Sequence, residues 1–151
     1  MKPTAIVLAL AATLGAGPAF AGWEFGAGRA QKIDGESTGV VTVSYLTAQP
    51  RFPWEFMVGY IDDRRRIDSG GVPDTLFAGI SKRVNFDRHW YGSFGVAVND
   101  ESTDVLSGHV QFQSALGWHG ERLGVSIRHL SNGSIHGRNR GETFVLVQLR
   151  F

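Results

Sequence analysis

The sequence predicts an all-β protein, an eight-stranded antiparallel transmembrane β-barrel, and three observations support that prediction. Bulky apolar residues alternate with small or polar ones at a period of two in eight separate runs. Most of these runs are about 9 to 11 residues long, which is the length of a tilted membrane-spanning strand. The 20 glycines among 151 residues disfavour helices, where each costs about 1 kcal/mol relative to alanine.

Taken in order, residues 1–21 read as an export signal. Met1-Lys2 supplies a positive start, Ala5 to Leu14 an apolar run, and Ala19-Phe20-Ala21 a small-x-small cleavage site. Gly15, Gly17 and Pro18 interrupt the run short of the roughly 20 residues that a membrane-spanning helix requires. The mature barrel domain is therefore expected over residues 22–151 and is formally neutral once Lys2 is removed. Strand runs follow at roughly 22–33, 39–48, 52–62, 75–85, 89–99, 108–118, 121–131 and 141–151. In the third, Phe52, Trp54, Phe56, Val58 and Tyr60 share one side. In the fifth, Trp90, Phe94, Val96 and Val98 oppose Tyr91, Ser93 and Ala97. In the sixth, Val110, Phe112, Leu116 and Trp118 oppose Gln111, Gln113 and Ala115. In the seventh, Leu123, Val125 and Ile127 oppose Arg122, Ser126 and Arg128. The eighth ends in Val145, Val147, Leu149 and Phe151 at alternate positions.

The bulky side decides the solvent. A soluble barrel fills its interior with large apolar residues, whereas an outer-membrane barrel turns them toward lipid and keeps a polar interior. The polar set includes Glu24, Glu55, Arg83, Arg122, Arg128, Gln148 and Arg150. These charges pair with one another inside a narrow barrel, because isolated ones are too costly to bury. The competing reading is the solvated face of a soluble sandwich. An export signal, an even strand count and aromatic residues near strand ends (Trp23, Trp54, Tyr60, Trp90, Trp118) favour the bacterial outer membrane. Connection lengths agree, being short after strands 2, 4 and 6 and longer after strands 3, 5 and 7. That is the order of periplasmic turns and extracellular loops, so strand 7 runs outward.

Several function classes fall away on composition. A formal charge of +1 gives no footprint for nucleic acid. The absence of cysteine removes disulfides, thiolate metal sites and a cysteine nucleophile. The five histidines (His89, His109, His119, His129 and His136) show no metal-ligand spacing. No metal and no cofactor are expected.

The outer end of strand 7 is the candidate site. His129 and Ser131 continue the lipid-facing stripe of Leu123, Val125 and Ile127. Residues two apart on a strand share a side at about 6.8 Å between α-carbons. A general base beside a serine is the minimum for acyl transfer, since a free hydroxyl is a weak nucleophile. The plainer alternative is a pair of ordinary interfacial polar residues at headgroup level.

The segment His129-Leu130-Ser131-Asn132, with Asn139, Gly141 and a terminal strand after it, resembles the signature of the PagL family of lipid A 3-O-deacylases. The resemblance is most specific over residues 129–151. It implies an outer-membrane serine esterase that removes the 3-O-linked acyl chain of lipid A (lipopolysaccharide) in the outer leaflet. It assigns His129 and Ser131 as the catalytic pair, with Asn139 and Asn132 as oxyanion or substrate-binding candidates. A homodimer is compatible with it. The chain departs from the pattern in two places. Asn132-Gly133-Ser134 stands where the family often has Asn-Ala-Gly. The orienting glutamate, fourteen residues after the histidine in the best-known members, is Thr143 here, with Glu142 one position earlier. Ideal alternation puts Thr143 outside and Glu142 inside. Gly141 permits a bulge that would turn Glu142 outward to hold the imidazole, and this is the arrangement expected. The alternative places Glu142 inside as a partner of Arg128 or Arg122.

Arg64, Arg65 and Arg66 after strand 3, with Arg138 and Arg140 near the site, are candidates for lipid A phosphates, or else belong to solvated loops. The competing function is a non-catalytic small barrel with a role in adhesion or envelope integrity.

Overall fold

The computed structural model describes residues 22–31, 37–64, 71–135 and 140–151. The expected export signal, residues 1–21, lies outside the described residues. Eight strands follow one another as β1 (Gly22–Gln31), β2 (Ser37–Leu46), β3 (Trp54–Ile61), β4 (Thr75–Asn85), β5 (Trp90–Asn99), β6 (Val110–His119), β7 (Leu123–Ser131) and β8 (Glu142–Arg150). Each pairs antiparallel with its neighbour, and β1 pairs with β8 to close the barrel. Closure leaves no sheet edge, which is the condition for a sheet to lie in hydrocarbon.

The alternation holds on every strand. Phe56, Val58, Phe94, Val96, Val98, Val110, Leu116, Val125, Ile127, Val145 and Val147 all face outward and are exposed. Their partners in alternation face inward, and their character divides the interior into two layers. Toward the periplasmic ends of the strands lies a buried ionic network. Arg83 forks both guanidinium nitrogens onto Glu24, at 2.9 and 2.8 Å, and also reaches Glu55 at 2.8 Å. Arg128 binds Glu55 as well, and Ser81 donates to the same carboxylate at 3.1 Å. Arg150 and Gln148 complete the shell of Glu24. The guanidinium of Arg83 lies 3.8 Å above the ring centre of Tyr91. Arg122 is not part of this network. It is exposed in the β6–β7 turn, because β7 begins one residue later, at Leu123.

Toward the outer ends Ala30, Val40, Met57, Ile61, Phe77, Ala97, Leu130, Phe144 and Leu146 form one apolar cluster, with buried polar residues such as Thr38, Asn99 and Gln111 at the strand ends around it. Leu106, from the loop between β5 and β6, joins that cluster, and Val105 beside it is equally buried. Thr103 shapes this loop by accepting the backbone N–H groups of Val105 and Leu106 on its hydroxyl. The loop thereby inserts its one apolar pair into the barrel mouth. An eight-stranded barrel is narrow enough for side chains to fill it.

Candidate active site

The site is built where β7 leaves the bilayer. His129 and Ser131 lie on the outer surface of β7, both half-buried, while Arg128, Leu130 and Asn132 point inward. The register places Ser114 of β6 directly opposite His129 and Phe112 opposite Ser131. On the other side Thr143 of β8 pairs with His129. Across that pair, His129 Nδ1 and Thr143 Oγ1 form a hydrogen bond of 2.9 Å. The imidazole is therefore oriented by a hydroxyl.

The expected outward turn of Glu142 does not occur. Glu142 is 1% exposed and lies opposite Leu130 on the interior side of the sheet. Its carboxylate binds Arg64, whose side chain enters the barrel from the loop after β3. The physical reason is register. β8 begins at Glu142 with no bulge, and its burial alternates without interruption from that residue, so a one-residue offset is a change of face. The positive φ of Gly141, 70°, is used just before the strand instead. An inward carboxylate needs a cation, and Arg64 supplies it. The interior partner is thus neither Arg128 nor Arg122, and Arg64 is not free to bind lipid phosphates.

Gly141 serves the site in a second way. A β-carbon there would lie 2.6 Å from His129 Cε1 and 2.9 Å from Nε2. The imidazole edge occupies the space that a side chain would fill, so only glycine suits both the backbone angle and the contact. The N–H of Gly141 donates to the carbonyl of Val105 at 3.0 Å, which ties the start of β8 to the loop sealing the barrel.

Asn132 is also engaged in building. Its amide nitrogen donates to the carbonyl and the hydroxyl of Ser107, at 2.7 and 2.9 Å, and its side-chain oxygen accepts the N–H of Ser134 at 2.8 Å. This buried amide holds the turn after β7 and does not face the outer surface as an oxyanion donor. Gly133 and Ser134 both have φ of 63°, and Ile135 N–H closes the turn on the carbonyl of Asn132 at 3.2 Å. The turn points the N–H of Gly133 at the hydroxyl oxygen of Ser131, 3.2 Å away. Asn139, His136 and Arg138, like Arg65 and Arg66, lie outside the described residues.

Residues 19–151 match the protein family described as Lipid A 3-O-deacylase (PagL). The chain belongs to the PagL family. PagL proteins are ester hydrolases of the outer membrane, and the closed barrel with its apolar exterior places this member there too. Two solved structures share the architecture. The crystal structure of the outer membrane enzyme PagL superimposes with a TM-score of 0.56 at 15% identity, covering 85% of this chain and 98% of that one. A de novo designed transmembrane β-barrel gives 0.50 at 11% identity, covering 86% and 95%. At these identities the likeness is one of fold. No curated protein matches the chain.

Four residues at or beside the candidate site, Thr143, Ser107, Val105 and Leu106, were given no role by the sequence reading. Thr143 was visible as the in-register position, but a threonine gives no signal that it will hold an imidazole. Ser107 and the Val105-Leu106 pair could have been suspected, since Val105-Leu106 is an apolar pair in the otherwise polar stretch from Asp100 to Ser107.

Proposed function

We propose that this PagL member hydrolyses the 3-O-acyl ester of lipid A by a serine mechanism with Ser131 as nucleophile and His129 as general base. The observation behind the reading is that the imidazole and the hydroxyl share the lipid-facing side of β7 near its outer end, with the imidazole already anchored through Nδ1. A substrate ester seated in the outer leaflet reaches this surface without leaving the bilayer.

In the proposed cycle His129 donates Nδ1–H to Thr143, which leaves the Nε2 lone pair as base. Nε2 takes the proton of Ser131 as Oγ bonds to the ester carbonyl carbon. The oxyanion that forms receives the N–H of Gly133, which already approaches Ser131 Oγ, and the side-chain amide of Asn139. Collapse breaks the bond to the sugar oxygen, which takes the proton from Nε2. Water then adds to the acyl-serine with His129 again as base, releasing the fatty acid and restoring Ser131. Among the described residues no hydrogen bond joins His129 to Ser131, and catalytic hydrogen bonds commonly close only in the substrate complex. Glu142 has no step in this scheme.

The test is lipid A mass in cells expressing the protein. Wild type is expected to give lipid A lighter by one 3-O-acyl chain, while Ser131→Ala and His129→Ala give unshifted lipid A with equal barrel in the membrane. Lipid A that stays fully acylated with the wild type supports the non-catalytic barrel instead.

A further inference from the structure

The outward faces of the barrel are not equivalent. On β3, β4 and β5 the outer-leaflet positions are apolar or aromatic, with Val58 and Tyr60, Leu76, and Val96 and Val98. On the five strands from β6 round through β7, β8 and β1 to β2 a row of directly paired outward residues is polar throughout. Ser114 pairs with His129, His129 with Thr143, Thr143 with Gln31, and Gln31 with Ser37. The row is oblique to the membrane. Ser114 lies in the middle of β6, His129 two residues from the end of β7, and Gln31 and Ser37 at the outer termini of their strands. One end of the row is therefore inside the acyl layer and the other at headgroup level, with the site between them.

Arg29 stands beside the headgroup end. It faces outward on β1, exposed, and pairs with Val145 of β8 and with Gly39 of β2. Its one hydrogen bond among the described residues runs from Nη2 to the hydroxyl of Ser37 at 2.8 Å. Among the described residues no carboxylate pairs with it. A guanidinium on the lipid face of a barrel is unfavourable at the bilayer centre and tolerable near the interface, and its remaining N–H groups form a fork suited to phosphate. Gly39 beside it contributes no side chain, and a β-carbon there would meet one atom within 4 Å, the β-carbon of Asp62 at 3.9 Å; the carboxylate of Asp62 forms no hydrogen bond or ion pair with Arg29 among the described residues. With strands about 4.8 Å apart and alternate residues about 6.8 Å apart, the α-carbon of Arg29 is on the order of 12 Å from that of His129.

We propose that Arg29, steadied by Ser37, is a phosphate-binding site that holds the phosphorylated sugar headgroup of the lipid substrate while its ester lies at Ser131. The proposal rests on the deacylase reading above and adds to it the group that orients the substrate along the polar row. The phosphate oxygens accept from the guanidinium beside Gly39, and the headgroup spans the two paired steps to Thr143 and His129.

The test measures binding by native mass spectrometry on the mature chain in detergent, in the Ser131→Ala background so that bound lipid stays intact. Three lipids are compared: phosphorylated lipid A, the same lipid A dephosphorylated, and phosphatidylglycerol. The expected result is at least tenfold tighter binding of phosphorylated lipid A than of either other lipid. Arg29→Gln is expected to lower that affinity about tenfold, and Arg29→Lys to recover part of it. Arg122→Gln, which removes one exposed charge at the opposite end of the barrel, should leave the affinity as it was. Unchanged binding of phosphorylated lipid A by Arg29→Gln overturns the proposal. So does phosphatidylglycerol binding as tightly as phosphorylated lipid A, which would make Arg29 a general contact with anionic lipid. Turnover of lipid A by the wild type is scored separately. Its absence defeats the deacylase reading while the binding comparison still decides for or against Arg29.

Discussion

At the scale of single residues, the site depends on which side chain occupies each outward position on β7 and β8. Thr143 holds His129 at 2.9 Å, and a hydrogen bond of this kind contributes about 1 kcal/mol net. Thr143→Val is therefore expected to slow ester turnover about tenfold, a factor that corresponds to about 1.4 kcal/mol. Thr143→Ser should retain most of the rate, and kinetics on a lipid A substrate in mixed micelles distinguishes the two. Glu142→Gln is the counterpart. It should leave turnover by the folded protein close to wild type, because the carboxylate faces Arg64 inside the barrel and not the imidazole. Loss of activity in folded Glu142→Gln would show that the inward carboxylate acts on the site after all. Gly141→Ala should abolish turnover, since the new methyl group collides with the His129 ring and strains a residue at φ of 70°.

At the scale of elements, β7 and the loop over the barrel mouth form one unit. The buried amide of Asn132 bonds both the carbonyl and the hydroxyl of Ser107. Asn132→Ala removes both bonds, each contributing about 0.5 to 1.5 kcal/mol net. It is expected to lower activity by loosening the turn that presents Gly133 to Ser131, and hydrogen exchange at the amides of residues 131–135 reads that loosening directly. On the periplasmic side, Asp87 accepts the N–H groups of Trp90 and His89. These bonds hold its carboxyl below the usual carboxylate range. A folded value below the unfolded one means that the contribution is full above the unfolded pKa and is lost as pH falls through the folded one. The stability gap between wild type and Asp87→Ala should accordingly narrow on going from pH 7 to below the carboxylate range.

The strands were legible in the sequence because lipid and a packed interior impose opposite demands on alternate residues, so Val125 and Ile127 against Ser126 and Arg128 leave one solution. The shared outward side of His129 and Ser131 was legible for the same reason. The partner of Glu142 was not, because it comes from Arg64 in a loop, 78 residues away, and loop conformation has no two-residue period to read. Asn132 misled for a related reason. Its position beside Ser131 suggests chemistry, while its inward phase on the strand commits it to Ser107.

At the scale of the whole molecule, the proposed mechanism makes the outer barrel wall the working surface, with the interior holding it in shape. The network of Glu24, Glu55, Arg83, Arg128 and Arg150 links five strands. Removing one member leaves a buried charge uncompensated, which costs about 3 to 5 kcal/mol. Glu55→Ala should therefore lower the urea midpoint of the barrel in lipid vesicles markedly, since Glu55 serves both Arg83 and Arg128. Replacing exposed Arg122 with Ala should move the midpoint little.

In the proposed mechanism a serine on the lipid-facing wall is activated by the histidine two residues before it. Intact-mass measurement after treating the mature protein with a lipid-chain fluorophosphonate tests it most directly. One adduct per chain is expected, mapped to Ser131 and lost in both Ser131→Ala and His129→Ala. An unmodified wild type, or an adduct that persists in Ser131→Ala, would contradict it.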